Sequence, residues 1–245
     1  MSQKKNISVC FTADQFDKYA DEKSIVVVVD LLRATTVIST AFMQGIEEII
    51  PVQTLEEALA YKGMEGYIVA AERNAKPIEG FDYGNSPFHY INSDVRGKTL
   101  VLTTTNGTKA INNARNHKVI TASYINLDAV ATYLIREYRD VIILCSGWKG
   151  VFNLEDPIFA GSLSCLLLDS GKYATVCDSL FASTQLLKNA GDNLFDYLSE
   201  SSHRRRLKSL NMEEDTRYCL SPPVKSDIIP IYYDGYLKPI KIDNI

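Results

Sequence analysis

Short apolar, β-branched runs alternate along this chain with segments of helical periodicity. The strand-like runs cover residues 24–29, 49–51, 67–71, 98–102, 119–122 and 141–144, with two short terminal strands at 228–231 and 237–242. The first helical segment follows the strand at 24–29 and ends near residue 42. Further helical segments cover 54–62, 108–116, 127–138, 156–169, 179–188, 194–200 and 203–210. This alternation is typical of an α/β domain. We predict a three-layer sandwich in which helices flank a mixed, mostly parallel central sheet.

Turn and capping signals separate these elements without dividing the chain. Residues 74–85 are rich in Gly, Pro and Asn and predict a loop. Ser86-Pro87 and Asp156-Pro157 each have the pattern of an N-cap followed by a first helical position. No repeat, low-complexity tract or linker is visible, so we predict one domain, 1–245, with a C-terminal extension from about residue 212 to 245.

Composition and charge narrow the class of protein. The 245 residues include 26 basic and 30 acidic side chains, a net charge of −4, so no basic surplus favours nucleic acid. The longest apolar run is about five residues, whereas a membrane span needs roughly 20. Residues 1–6 carry positive charge but no apolar segment follows them, so they do not form a signal peptide. We expect a cytoplasmic protein; whether it forms a homo-oligomer stays open.

The five cysteines do not form a metal or disulfide pattern, because they are widely spaced and include no C-x-x-C pair. Cys145 alone stands at the end of a strand-like run. A phosphatase loop of the C-x5-R type needs an arginine six positions later, where this chain has Val151. We therefore expect the turn at Ser146 and Gly147 to offer backbone donors and Cys145 to be no nucleophile.

Polar residues follow three of the apolar runs, at 30–36, 103–108 and 145–147. Ligands of open α/β sheets bind where strand carboxyl ends meet helix amino ends, so we expect these segments to form one site. Asp30 and Arg33 follow four valines, and a guanidinium recognises phosphate or carboxylate through two hydrogen bonds. Thr35 and Thr36 are either helix-opening hydroxyls or oxyanion donors, and their spacing fits both.

The segment 103–108, Thr-Thr-Thr-Asn-Gly-Thr, suits a small anion. Hydroxyls, an amide and a glycine precede a helix start, whose free N–H groups favour negative charge. The alternative is a plain Asn-Gly turn. The segment lacks the spacing of a nucleotide P-loop, so a bare phosphate or small acid fits better than ATP.

Four acidic residues are candidate ligands for Mg²⁺, which prefers oxygen: Asp30, Glu72, Glu155 and Asp156. Each alone is a common helix-dipole partner, but the set predicts a shared cation. His203, beside three arginines, is a weaker candidate for an anion contact.

The chain resembles the 2-phosphosulfolactate phosphatase family, whose members are magnesium-dependent acid phosphatases associated with coenzyme M biosynthesis. The resemblance rests on segments 30–36, 72–73, 80–87, 103–108, 145–147, 155–156 and 203–207. The family commonly has Gly-Glu-Arg where this chain has Ala71-Glu72-Arg73, and Cys-Ala-Gly at 159–161, here Phe-Ala-Gly. Its His-Gly-x-Arg segment corresponds to His-Arg-Arg-Arg at 203–206, which adds a bulky cation.

The resemblance implies Mg²⁺-dependent hydrolysis of the phosphate monoester of a small 2-hydroxy acid, (2R)-2-phospho-3-sulfolactate. With the strand ends it predicts the catalytic residues Asp30, Arg33, Glu72 and Arg73. Phosphate or substrate contacts are predicted for Thr35, Thr36, Asn85, Ser86, Thr105, Asn106, Gly107, Thr108, Ser146 and Gly147. The nucleophile is either a water activated by the metal or Asp30 itself, through an aspartyl-phosphate.

Other functions stay open from the residues alone. The chain is a phosphatase of another small 2-phospho acid if the acidic group at the far end differs, and a non-catalytic anion-binding protein if the carboxylates do not converge. Haloacid dehalogenase-like phosphatases fit poorly, because their Asp-x-Asp-x-Thr motif would need an acid at Leu32 and a threonine at Ala34.

Overall fold

The computed structural model describes residues 3–242. The strands are β1 (Lys5–Cys10), β2 (Ile25–Val29), β3 (Glu48–Pro51), β4 (Tyr67–Arg73), β5 (Lys76–Pro77), β6 (Thr99–Thr103), β7 (Lys118–Thr121), β8 (Val141–Cys145), β9 (Tyr173–Ala174), β10 (Ile228–Tyr233) and β11 (Tyr236–Lys241). The α-helices are α1 (Ala34–Met43), α2 (Leu55–Leu59), α3 (Phe88–Ile91), α4 (Gly107–Ala114), α5 (Leu127–Glu137), α6 (Glu155–Asp169), α7 (Asp178–Ala190), α8 (Leu194–Tyr197), α9 (Ser202–Ser209) and α10 (Glu213–Leu220). Short 3-10 helices cover Ala13–Lys18 and Leu198–Glu200.

The strands form a single mixed sheet in the order β5-β4-β6-β3-β11-β10-β7-β2-β8-β1-β9. Two blocks are parallel, one containing β9, β1, β8, β2 and β7 and the other containing β3, β6 and β4. This arrangement confirms the predicted α/β class with a mostly parallel sheet.

An antiparallel hairpin of β10 and β11 joins the two parallel blocks. Ile231 of β10 lies opposite Ile120 of β7, and Leu237 of β11 lies opposite Ile49 of β3. Leu237 and Ile229 are fully buried. The hairpin belongs to the segment that the sequence assigns to a C-terminal extension, yet the structure places it inside the sheet.

Helices cover both faces of the sheet, and strand β2 shows how the sequence produces this. Ile25, Val27 and Val29 pack into one hydrophobic cluster, whereas Val26 and Val28 pack into the cluster on the opposite face. A strand that is buried on both faces needs a continuous apolar run, because successive side chains point to opposite sides. One layer of helices on each face of the central sheet gives the three layers that the sequence predicts.

The structure differs from the predicted elements at several boundaries. Strand β1 and helix α10 were not predicted; β1 mixes polar residues among its apolar ones and so lacks a continuous run. Helix α6 begins at Glu155 with Leu154 as its N-cap, so the predicted cap Asp156 and the following Pro157 lie within the first turn. Proline fits there because the first-turn N–H groups have no helical partner. Between residues 3 and 242, no helix is both long and apolar enough to cross a bilayer.

Candidate active site

A small cavity of about 20 Å³ lies at the carboxyl ends of β2, β4 and β6, the edge of the sheet at which α/β proteins bind ligands. We call it the inner pocket. The loop after β8 and helix α9 complete its lining with Trp148, His203 and Leu207. Its lining residues are Asp30, Leu32, Arg33, Glu72, Ala75, Asn85, Thr105, Asn106, Trp148, His203 and Leu207.

Asp30 follows β2 directly and is only 6% exposed. The Thr35 hydroxyl accepts from the Asp30 N–H at 3.2 Å and donates to the Asp30 carbonyl at 3.0 Å, which fixes the start of α1. The Ala34 N–H donates to Asp30 Oδ1 at 3.4 Å. Gly107 packs against this carboxylate so closely that a Cβ there would lie 2.8 Å from Asp30 Oδ2. The Asp30 side chain is therefore held from two elements.

Glu72, in β4, is held by the loop that follows the neighbouring strand β6. The Thr105 N–H donates to Glu72 Oε2 at 3.2 Å, and its hydroxyl donates to Oε1 at 3.1 Å. The Ala75 N–H also donates to Oε1. Thr105, a predicted phosphate contact, lines the pocket, and in this structure its hydrogen bonds orient an acid.

Glu155 and His203 bring helices α6 and α9 together. His203 Nδ1 lies 2.6 Å from Glu155 Oε1, which also accepts from Asn153 Nδ2 at 3.0 Å. The imidazole stacks on Trp148, with ring centroids 6.3 Å apart and planes inclined by 26°. Because Nδ1 is occupied, Nε2 is the ring nitrogen available to a ligand of the pocket.

Burial and mutual repulsion perturb the acids. Burial raises the pKa of Asp30 to about 6, with His203 lowering it and Glu72 raising it. Burial, followed by the charges of Glu155 and Asp30, raises the pKa of Asp156 to about 8. Burial lowers the pKa of His203, but its hydrogen bond to Glu155 and the surrounding carboxylates more than offset this, so the net shift is upward. The site therefore favours bound positive charge.

Arg33 lines the inner pocket, although its charge is already neutralised. Its guanidinium forms an ion pair with Asp215 of α10 and donates to the Ala75 carbonyl at 2.9 Å. Asp215 also accepts from the Ser86 hydroxyl at 3.0 Å, so the predicted contact residue Ser86 is engaged outside the pocket.

Arg73 does not reach the inner pocket. Successive residues of a strand point to opposite faces, so Glu72 faces the pocket and Arg73 faces away. The Arg73 guanidinium donates instead to Thr103 Oγ1 at 2.9 Å, the Glu72 carbonyl at 2.7 Å and the Gln53 carbonyl at 3.2 Å.

Several other predicted contact residues use their polar atoms within the protein. The Thr36 hydroxyl donates to the Leu31 carbonyl at 2.9 Å, so the structure places it as a helix-opening hydroxyl. Thr108 exchanges hydrogen bonds of 3.1 Å with Thr104. Gly147 adopts φ +64°, and a Cβ there would lie 2.7 Å from the Val151 carbonyl oxygen, so it shapes a backbone turn.

Ser146 and Asp156 bond to each other behind the pocket. The Ser146 hydroxyl donates to Asp156 Oδ2 at 3.0 Å, and the Leu31 N–H donates to Oδ1 at 2.8 Å. Asp156 is fully buried. Of the four predicted metal ligands, Asp30 and Glu72 line the pocket, Glu155 adjoins it through His203, and Asp156 supports the backbone after Asp30.

The oxygen atoms around the pocket suit a hard cation. Within residues 3–242, no group of three or more His, Cys, Asp or Glu side chains is close enough to hold a metal ion by itself. Mg²⁺ rarely needs such a cage, because one or two carboxylates, waters and substrate oxygens usually complete its shell. Three buried acceptor oxygens near the site lack a partner: Asn85 Oδ1, on a residue that lines the pocket, and Asn153 Oδ1 and Glu155 Oε2, on residues joined to it through His203. The unsatisfied acceptor of Asn85, beside Asp30 and Glu72, fits a hydrated cation.

Some residues of this site have weak signals in the sequence, and others have none. Trp148 is the chain's only tryptophan and lies between two glycines of a turn. Asn153 precedes Glu155 by two positions and Asp156 by three, and this spacing from two candidate metal ligands is a signal for a site residue. Asp215 has no local signal, because its partner Arg33 lies 182 residues away.

The sheet and the acidic pocket at its carboxyl edge define an enzyme of the α/β class. Residues 10–235 match the family model for 2-phosphosulpholactate phosphatase. The chain therefore belongs to the 2-phosphosulpholactate phosphatase family, whose members are phosphoric monoester hydrolases, and the resemblance seen in the sequence is confirmed.

Individual relatives agree over most of the chain. Each of three bears the name "Probable 2-phosphosulfolactate phosphatase". The protein of Caldanaerobacter subterraneus subsp. tengcongensis is 38% identical over 91% of this chain and 92% of its own length. That of Thermotoga petrophila is 42% identical over 79% and 82%, and that of Clostridium beijerinckii is 36% identical over 94% and 97%.

Proposed function

We propose that this protein is a Mg²⁺-dependent phosphatase that hydrolyses the phosphate monoester of a small 2-hydroxy acid, with (2R)-2-phospho-3-sulfolactate as its substrate. The observation that supports this best is the inner pocket, where the buried acids Asp30 and Glu72 lie with the unpartnered amide oxygen of Asn85 beside the start of α4. The name shared by the relatives supports the substrate.

Asp30 and Glu72 would hold Mg²⁺, because they are the two carboxylates that line the pocket. When bound, the ion neutralises charge on the phosphoryl oxygens and lowers the pKa of a bound water. Glu155 and Asp156 have supporting roles: Glu155 orients His203, and Asp156 holds the backbone that follows Asp30.

The remaining residues of the pocket would bind and orient the phosphoryl group. Asn106 and the Gly107 N–H at the start of α4 offer donors beside Asp30, where a helix N-terminus favours an anion. His203, held by Glu155, presents Nε2 to the same space. Water attacks phosphorus, the bond from phosphorus to the alcohol oxygen breaks, and the products are phosphate and 3-sulfolactate.

The competing route through an aspartyl-phosphate on Asp30 is separable by experiment. A beryllium fluoride complex that mimics phosphoaspartate should not modify or stably occupy Asp30 if water attacks directly. Mass spectrometry after acid quench under turnover tests the same point, and an adduct of one phosphoryl group on Asp30 would contradict direct attack.

Phosphate release from 2-phospho-3-sulfolactate, 2-phospholactate and phosphoglycolate tests the function. We expect turnover that EDTA abolishes and Mg²⁺ restores, with the sulfonated ester preferred. Asp30→Asn should lower kcat by at least about 100-fold. The matched control is Asp128→Asn, which removes an exposed carboxylate paired with Lys225. Full turnover in EDTA, or by Asp30→Asn, would contradict the proposal.

A further inference from the structure

A second cavity, of about 610 Å³, lies between helices α3, α8 and α10. We call it the aromatic cavity, because Phe88, Phe195 and Tyr218 line it. Within residues 3–242, none of its lining residues also lines the inner pocket, so the two sites are separate. Its volume falls within the range of about 300–1,000 Å³ that is usual for cavities that bind small molecules.

The three aromatic side chains form an apolar wall. The rings of Phe88 and Tyr218 meet edge to face, with centroids 5.5 Å apart and planes inclined by 60°. Tyr218 is buried, and its hydroxyl accepts a hydrogen bond of 3.5 Å from Thr40, which fixes the ring. Phe88 and Phe195 are only partly buried, so each ring keeps apolar surface that a ligand can cover. Covering such surface favours binding of an apolar group.

Glu214 and Arg217 of α10 place opposite charges beside this wall. Side chains three residues apart on a helix are neighbours and commonly pair. Here neither residue forms an ion pair with any side chain of the described part of the chain. The Arg217 guanidinium lies instead 3.6 Å from the centre of the Phe195 ring. An arginine stacked on a ring keeps its N–H edges available to an oxyanion.

This combination of groups is complementary to a free α-amino acid. An α-carboxylate can accept two hydrogen bonds from the Arg217 guanidinium, and the adjacent α-ammonium group can donate to the Glu214 carboxylate. The side chain of the amino acid would then lie against the aromatic rings. A simple carboxylic acid would leave Glu214 without a partner, and a simple amine would leave Arg217 without one.

We propose that the aromatic cavity binds a free α-amino acid with a large apolar side chain, with Arg217 as the partner of its carboxylate and Glu214 as the partner of its ammonium group. This binding requires neither Mg²⁺ nor turnover, so the proposal does not rest on the proposed function.

An NMR titration with L-phenylalanine, in the absence of Mg²⁺ and substrate, tests the proposal. The wild type should bind it with a Kd of about 1 mM or below, as expected for a ligand of this size. 2-Phenylethylamine lacks the carboxylate and 3-phenylpropionate lacks the ammonium group. Each should bind at least about tenfold more weakly, the effect of losing a hydrogen bond to a charged group.

Two variants locate the charged groups of the ligand. Arg217→Gln should weaken L-phenylalanine binding by roughly tenfold and leave 2-phenylethylamine nearly unchanged, because that amine has no carboxylate. Glu214→Gln should have the corresponding effect, with 3-phenylpropionate as the unaffected probe. Arg205→Gln is the matched control, since Arg205 is an exposed arginine that pairs with Glu200 outside the cavity. All three positions are exposed, so Tm should stay within about 2 °C of the wild type and show that the fold is intact.

Several results would overturn the proposal. They are equal affinities for the three probes, no binding of L-phenylalanine by the wild type, and unchanged binding in both variants. Sedimentation of the wild type as a dimer that Arg217→Gln dissociates would also overturn it, because a second copy of the chain would then cover the cavity.

Discussion

Replacing Gly107 by alanine should displace Asp30 and so impair both stability and catalysis. Gly107 begins α4 at the point where that helix meets α1 and the end of β2. An added Cβ would lie 2.5 Å from Ala34 Cβ and 2.8 Å from Asp30 Oδ2. Comfortable contacts between such atoms are about 3.5 Å or more, so a shift on the order of 1 Å is required.

The shift has a predictable size in energy and in rate. Overpacking of this kind costs about 1–3 kcal/mol, which for a chain of this length lowers Tm by roughly 2–12 °C. Asp30 moves whether the added Cβ displaces Asp30 itself or Ala34, because the Ala34 N–H donates to Asp30 Oδ1 and couples the two residues. A misplacement of about 1 Å in a reacting site lowers the rate by roughly 100-fold.

Gly161→Ala provides a matched control. A Cβ at Gly161 would lie 2.5 Å from the Ser183 carbonyl oxygen, at the contact of α6 with α7 and away from the inner pocket. Thermal unfolding should show a comparable loss for both variants, whereas phosphate release should show a loss of kcat for Gly107→Ala alone. Wild-type kcat and Tm in Gly107→Ala would refute the reasoning.

Other predictions address buried groups. In EDTA, wild-type Tm should fall as pH rises from about 4 to 8. The reason is that the Asp156 carboxyl titrates near 3.9 in the unfolded chain, whereas burial raises its pKa in the folded protein to about 8. Asp156→Asn should show a flatter dependence of Tm on pH, and equal slopes for the two proteins would contradict this. Native Cys145 should resist iodoacetamide at pH 8, since burial and the charge of Asp156 raise the pKa of its thiol; rapid alkylation seen by peptide mass spectrometry would argue against it. Ile229→Ala, at a fully buried position of β10, should cost about 2–5 kcal/mol in urea unfolding. The exposed Tyr233→Ala should cost about 0.5 kcal/mol or less, and equal losses would show that the hairpin does not contribute to the core.

The fold was largely predictable because its signals are local. The valine run predicted strand β2, which the structure buries on both faces, and the polar residues after β2 and β6 lie at the edge of the sheet where the pocket is found. The structure brings Asp30, Glu72 and Thr105 together in this pocket. The position of β10 and β11 was not predictable, because strand order depends on contacts between residues far apart in the chain.

The membership of the site was harder to predict for the same reason. Whether Glu72 or Arg73 faces the pocket depends on the exact register of β4, since a shift by one residue exchanges the faces. The hydroxyl of Thr36 satisfies its own helix, a local alternative that the sequence shows but does not decide. Arg33 owes its neutral environment to Asp215, a partner from the other end of the chain.

The central hairpin has a consequence for how the protein is made. During synthesis, β10 and β11 leave the ribosome after every strand that they join, so the nascent chain carries two separate parallel blocks with exposed inner edges at β3 and β7. Unpaired strand edges are sites of aggregation, and pairings this distant in sequence form slowly. The central pairing of the sheet therefore forms last, and a chaperone that shields β3 and β7 until β10 and β11 have emerged should raise the yield of native protein.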